Sequence, residues 1–342
     1  MKKKIMIFVS IMLLLLAMSA YVMPYFKPFT IKDIQSGCVY KVYGTYAAFI
    51  SAAGVVEDEV EIANSIWGRN VVRLEKYAFS NDKCRIRTVI IPDTIETIES
   101  YAFIENETIE KIVFGKNVKK VGSYAFDTCS NLTDVEMNQG LKVIDKFAYV
   151  RCENLKSILL PDSVEYIGNS AFKRTALQDI TFPKMIVDLG TGIMLDTPWE
   201  KECPTDVIHN GYYLNCKNDK ENIVVIPNGV RYVASKFSEN TEEIYINSGV
   251  EVLGNGLIYN AYVDTKCTFY IPSSVKRIST GDQYSEECHT EMVADISKIK
   301  IVTTEGSYAE QYAIEKGITN EIVDDVQTLY DAALERQKAG QE

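Results

Sequence analysis

Histidine and tryptophan are nearly missing from this chain of 342 residues, with two of each, and the two histidines (His209 and His289) lie far apart in sequence. There is no G-x-S-x-G nucleophile turn, no P-loop, no H-E-x-x-H helix and no glycine-rich dinucleotide loop. These gaps remove the usual sequence support for hydrolase, nucleotide-dependent or zinc-protease chemistry, so the expectation is a protein without catalysis and without cofactor. Enzyme activity stays only as a remote alternative. Blocks of basic residues are also lacking after Lys2, Lys3 and Lys4, and the formal charge is −11. Such a balance argues against nucleic acid or anionic lipid as the main ligand.

Charged residues are instead confined to moderate use, 24% against 46% hydrophobic, which is ordinary for a folded protein. The uncharged stretch from Ile5 to Met23 follows the three lysines and has Leu13 to Leu16 at its centre. Nineteen such residues suffice to cross a ~30 Å hydrocarbon core as one helix. The expectation is a signal-anchor over residues 1–27, with the membrane met through residues 5–23, the amino end inside and everything beyond Pro24 exported. Ala17 and Ser19 also satisfy a signal peptidase site, and cleavage there would give a secreted protein instead.

The main feature of the chain is a repeat. IPDTIETIESYAF begins at Ile91, FGKNVKKVGSYAF at Phe114, MNQGLKVIDKFAY at Met137 and LPDSVEYIGNSAF at Leu160. Ala78, Ala102, Ala125, Ala148 and Ala171 are 24, 23, 23 and 23 residues apart. Weaker copies start at Phe182, Ile226, Ile246 and Ile271. A unit this short cannot bury its own apolar face, and stacking one coil on the next solves that. In one unit the inward set reads Leu155, Ile158, Leu160, Val164, Ile167, Ala171 and Phe172. The order within a coil is then strand, Pro-Asp-Ser turn, short extended piece and a tight helical turn at Ala-Phe.

These residues resemble the BspA-like family of bacterial leucine-rich repeats, whose unit reads much like LKSILLPDSVEYIGNSAFKRT here, and the resemblance runs from about Val39 to Thr319. DEVEIANSIWGRNVVRLEKYAF is similar to the family's opening coil, with Ala63-Asn64 in place of the usual proline. DTPWEKE followed by GYYLNCKND is similar to its mid-array insertion, and EGSYAEQYAIEKGI to its closing helix. The resemblance implies an α/β repeat solenoid, a right-handed leucine-rich-repeat coil of short parallel strands with about nine coils of about 23 residues. Its parts are expected at residues 28–70 (capping coil), 71–306 (array, with a hairpin insertion at about 196–222) and 307–342 (capping helices). It also implies a bacterial surface protein that binds a protein or glycan ligand in the manner of an adhesin. A structural or assembly protein of the cell envelope is the alternative. Independently of family, Ser307 and Glu310 form an S-x-x-E capping box and Gly317 stands where a helix should stop.

Eight cysteines (Cys38, Cys84, Cys129, Cys152, Cys203, Cys216, Cys267 and Cys288) are compatible with export. Cys203, His209 and Cys216 flank an Asn-Gly hairpin turn, but their spacing lacks the short clip of structural zinc sites, so no metal is expected and a disulfide between Cys203 and Cys216 is the better reading. Cys129 and Cys152 occupy one position in successive coils and read as buried thiols, with a disulfide between coils as the competing reading. Asp134 and Glu136 share a strand face and read as a solvated patch rather than paired acid and base. Asn106 and Asn131 head formal glycosylation acceptors.

A binding role would fall on the outward strand positions next to each inward Ile or Leu, which are Ile90, Val113, Glu136, Leu159, Thr181, Val225, Tyr245 and Tyr270. This row is apolar and aromatic for a solvent face. It reads either as a recognition strip, with Tyr245 and Tyr270 the foremost contacts, or as β-branched and aromatic residues that merely suit strands.

Overall fold

The computed structural model describes residues 27–80, 85–183, 186–190, 192–202, 206–209, 211–215, 222–234, 237, 240–254, 266–279 and 296–339. It is a parallel-strand β-solenoid of about ten turns of about 23 residues, one more than the repeat count suggests. Four coils of the first array contribute two short strands each rather than one, and the two coils after them contribute one strand and a bridge residue each. Three-residue strands at Glu59–Glu61, Thr88–Ile90, Lys111–Val113 and Asp134–Glu136 pair in parallel along one side. Two-residue strands at Thr97–Ile98, Lys120–Val121, Val143–Ile144, Tyr166–Ile167 and Asp188–Leu189 pair along another. Antiparallel strands at Phe29–Lys32, Val39–Val42 and Ala47–Ser51 open the array and join it through Arg69–Leu74.

All seven inward residues named for the unit of Leu155 to Phe172 are buried. Their burial comes from the next coil. Phe49, Phe79, Phe103, Phe126, Tyr149 and Phe172 form a continuous ladder of near-parallel rings, with centroids 4.6 to 5.5 Å apart. Each ring fills the width of the core and caps its neighbour, and contacts of this kind add to the plain area buried.

The turn at Ala-Phe differs from the helical turn expected. Two non-glycine residues per coil take left-handed backbone, as in Tyr101 (φ 64°) with Glu105 (φ 57°) and Tyr124 (φ 56°) with Thr128 (φ 60°). That conformation costs roughly 1–2 kcal/mol per residue, and neighbouring coils offset it. It turns the backbone N–H groups toward the next coil, so Phe103 donates to the Ala125 carbonyl at 2.7 Å and Phe126 to that of Ala148 at 2.8 Å. The small alanine side chain permits this approach.

The second array begins with an antiparallel hairpin, Asp206–His209 against Tyr212–Asn215, whose turn includes Gly211 with φ 81°. Parallel strands then continue on two sides, at Tyr232–Val233, Val252–Leu253 and Arg277–Ile278, and at Ile223–Val225, Glu243–Tyr245, Cys267–Tyr270, Ile299–Thr303 and Thr319–Ile322. A short helix, α1 (Pro198–Glu202), precedes the hairpin. The arrays are joined by the buried Asp188 carboxylate, which accepts from the Tyr232 hydroxyl at 2.8 Å and from the Ser279 hydroxyl.

Helix α2 (Tyr308–Lys316) closes the last coil as the capping box predicts. The Ser307 hydroxyl accepts from the Glu310 N–H, the Glu310 carboxylate reaches back to the Gly306 N–H, and Gly317 ends the helix with φ 67°. A further helix, α3 (Val326–Ala339), starts from the Asp325 carboxylate, which accepts from the N–H groups of Gln327 and Thr328. Among the described residues no helix is long and apolar enough to cross a membrane. The proposed anchor and the Ser19 cleavage point lie outside the described residues.

Candidate binding surface

Parallel pairing puts equivalent outward residues side by side. Glu61 pairs with Ile90, Ile90 with Val113, and Val113 with Glu136, while a lone bridge joins Leu159 to Thr181. In this first-array half, Ile90 and Val113 are half-buried, and Glu136, Leu159 and Thr181 are exposed. Leu159, held by that lone bridge, is 76% exposed.

The second-array half is closed, because the face made by Val225, Tyr245 and Tyr270 lies under α3. Val225 is 6% exposed and Tyr245 3%, and both pack with Tyr330 and Ala333 of the helix. The Tyr330 hydroxyl donates to the Ile226 carbonyl at 2.9 Å, and the Gln327 side chain accepts from the Ser248 N–H at 3.3 Å. Tyr245 and Tyr270 stack face to face, centroids 4.1 Å apart and 4° from parallel. The Tyr245 hydroxyl donates to Glu243 at 3.0 Å and accepts from Arg336 at 3.0 Å. Burial pushes the Tyr270 hydroxyl well above its ordinary pKa. The reading of Tyr245 and Val225 as free contacts is therefore corrected: their apolar surface is spent on the chain's own helix, and Tyr270 is left half-buried.

The remaining sequence candidates separate cleanly. Asp134 and Glu136 both sit on the Lys111 ammonium and are about half exposed, which matches the solvated patch expected of them. Hydrogen bonds to these two carboxylates raise the Lys111 pKa. Cys129 and Cys152 are free, buried thiols that donate to the Phe103 and Phe126 carbonyls at 3.1 Å each. Cys38 and Cys267 are also free and buried. Asn106 is buried, its side chain donating to the Phe79 carbonyl at 2.6 Å and accepting from the Thr108 and Ile109 N–H groups, so it serves as a turn rather than a modification site. Cys84, Cys203, Cys216, Cys288 and His289 lie outside the described residues, and so does the disulfide suggested for Cys203 and Cys216. Among the described residues no cluster of three His, Cys, Asp or Glu could hold a metal ion.

A second aromatic row escaped the sequence reading. Tyr77, Tyr101, Tyr124 and Phe147 precede the alanine of successive coils and stack at 4.8 to 5.8 Å along the edge of the solenoid. The signal was present as an aromatic residue immediately before four of the five Ala-Phe or Ala-Tyr pairs of the repeat, Ser170 standing at the fifth. Tyr77 ends the row and is 56% exposed.

Residues 72–196 match the family described as BspA type leucine rich repeat region, in six copies. The family reading is borne out over that segment. Solved structures similar to this chain include a leucine rich cell surface protein from Faecalibacterium prausnitzii, 20% identical, covering 87% of this chain and 100% of that one with a TM-score of 0.42. They also include the pneumococcal vaccine antigen PcpA, 15% identical over 86% and 99% of the two chains with a TM-score of 0.37. A leucine-rich repeat protein from Eubacterium ventriosum is 18% identical over 74% and 68%, with a TM-score of 0.38. No curated protein matches the chain.

Proposed function

We propose, from residues 72–196 being an array of BspA type leucine-rich repeats, that this chain is a bacterial surface protein without catalysis that binds a protein or glycan through the open outward face of its first array. One observation carries the reading: the ladder position that α3 covers in the second array has no helix packed on it in the first among the described residues, where Leu159 is 76% exposed and Ile90 and Val113 are half-buried. Exposed apolar rows within a polar surround mark contact surfaces. Repeat solenoids offer such faces as extended binding surfaces, and the fold itself names no ligand. In this reading the segment from Ile5 to Met23 holds the chain at the membrane with the repeats outside.

Two experiments test it. Protease shaving of intact cells carrying a carboxy-terminally tagged chain should remove a membrane-associated tag, whereas a protected tag would sink the exported reading. Full chain and its Leu159→Lys variant applied to arrays of extracellular proteins and glycans should share every ligand except those held by the open face, whose binding falls at least ten-fold. Ligands found by the array that all ignore Leu159→Lys would place binding elsewhere.

A further inference from the structure

We infer that the amino-terminal end of the solenoid seats in the lipid headgroup layer of the membrane, so that the array stands away from the bilayer on its opening coil. The inference rests on the anchor reading of Ile5 to Met23 given above.

Exposed apolar side chains gather at that end. Ile34 is 97% exposed, Val56 80% and Trp67 70%, and Phe29 is exposed beside them. After Tyr77 the next large apolar residue left exposed among the described residues is Leu159. The first four share one end of the fold. Phe29 begins the strand Phe29–Lys32, which is the terminal strand of its sheet and pairs only with Val39–Val42 among the described residues. The turn bearing Ile34 follows that strand directly. A Cβ on Gly37 would stand 2.3 Å from the Gly54 carbonyl oxygen, so the backbone of this turn lies against the segment that carries Val56. Trp67 belongs to a later coil, yet its ring reaches Phe29, with centroids 5.7 Å apart.

Trp67 points most directly to a contact outside the chain. With Gly68 it forms the two-residue turn between Ser65–Ile66 and Arg69–Leu74, at φ 51° and 70°. Such turns call for Asn, Asp or Gly at both positions. A bulky ring there is strained, and with 70% of its surface in solvent the fold itself returns little for that strain.

Reach and chemistry name the contact. From Met23, where the uncharged stretch ends, to Phe29 is six residues, at most roughly 20 Å even when fully extended. The headgroup layer takes up about 5–7 Å of that reach. The opening coil is thus tethered beside the bilayer, and an indole settles at headgroup level because its apolar body and its N–H are both accommodated there. The exposed cations Lys27 and Lys32 are balanced by the exposed carboxylates of Glu57 and Asp58, so the contact is apolar insertion among zwitterionic headgroups rather than attraction to anionic lipid. A protein partner would have to displace a surface that the tether holds in place.

The test uses the full chain carrying Trp199→Phe, which leaves Trp67 as its sole tryptophan, reconstituted in phosphatidylcholine liposomes and recovered by flotation. Lipid brominated near the top of its acyl chains should quench Trp67 emission at least two-fold relative to plain lipid. In the companion chain with Trp67→Ser, the emission of Trp199, in α1 beyond the first array, should not change. Ile34→Asp combined with Val56→Asp, both at exposed positions, should cut the Trp67 quenching at least two-fold. An unquenched Trp67 in a floated chain overturns the inference and leaves the anchor reading standing; if acrylamide also fails to reach that ring, the end meets protein instead of lipid. Equal quenching of Trp199 would mean that the array lies flat on the bilayer, and quenching indifferent to the paired Asp variant would mean that this end is not what inserts; either overturns the inference. A chain that does not float removes both readings.

Discussion

Arg336 of α3 donates to the Tyr245 hydroxyl at 3.0 Å, and its guanidinium carbon stands 5.7 Å from the centre of the same ring. This pairing turns an outward strand tyrosine into an interior one, with Glu243 accepting on the far side of the hydroxyl. The hydrogen bond to Tyr245 is also the main influence raising the Arg336 pKa. The helix therefore determines which half of the ladder meets solvent.

Detaching α3 should expose that tyrosine. Ala333 is 1% exposed against Val225 and Tyr245, so Ala333→Asp would bury an unpaired carboxylate at a cost of about 3–5 kcal/mol. A helix with so few buried residues returns little more than that. The variant should release α3 while the arrays stay folded. Nitration of Tyr245 with tetranitromethane, mapped by mass spectrometry, should be negligible in the parent chain and rise several-fold in the variant. An unreactive Tyr245 in a folded variant would mean that something other than α3 protects it.

The repeat was legible because its physics is local. Periodic Ile, Val, Ala and Phe announce which side chains stack, and the Leu155 to Phe172 unit is buried as read. The capping box at Ser307 and Glu310 was legible for the same reason, each contact spanning a turn. The left-handed pairs such as Tyr101 and Glu105 were not, because nothing but a neighbouring coil stabilises a bulky residue with positive φ. The covering of Tyr245 was hidden for a related reason: Tyr330 meets Ile226 across 104 positions of sequence, and helical spacing alone does not say where an apolar stripe lands.

Asp145 should give a pH-dependent signature. Burial raises its carboxyl pKa above the ordinary value near 3.8, partly opposed by the Lys146 N–H and by Lys120 at 3.5 Å. A raised carboxyl value means that the folded state holds its proton more tightly than the unfolded one. The penalty is absent below the ordinary value, grows as pH rises from there, and is complete above the folded value. Asp145→Asn lacks the penalty. Its stability relative to the parent should therefore increase as pH rises above the ordinary carboxyl value near 3.8 and level off once Asp145 is ionised in the folded chain, read as the difference in urea midpoints. A difference that stays flat or reverses would show that the pairing with Lys120 outweighs burial.

Cys129 and Cys152 should behave as inert thiols. Burial raises both thiol pKa values, and the thiolate is the reactive form. Iodoacetamide at neutral pH should leave both unmodified in the folded chain and alkylate both after denaturation, as mapped by peptide mass. Recovery of a peptide pair linked through these two residues would show a disulfide between coils instead.

Tyr149 is the one ring of the core ladder with a hydroxyl, standing where its neighbours Phe126 and Phe172 have none. That hydroxyl is buried and has no hydrogen-bond partner among the described residues. An unsatisfied buried polar group costs about 1–3 kcal/mol. Tyr149→Phe keeps the stacked ring and removes the group, so it should stabilise the array by about 1 kcal/mol, seen as a higher urea midpoint at unchanged slope. Tyr149→Ala should do the opposite by about 3–5 kcal/mol, since it opens a cavity between two stacked rings. The contrast separates the ring from its hydroxyl: a Phe variant less stable than the parent would mean that the hydroxyl has a partner, and an Ala variant with little loss would mean that the ladder does not hold the coils together.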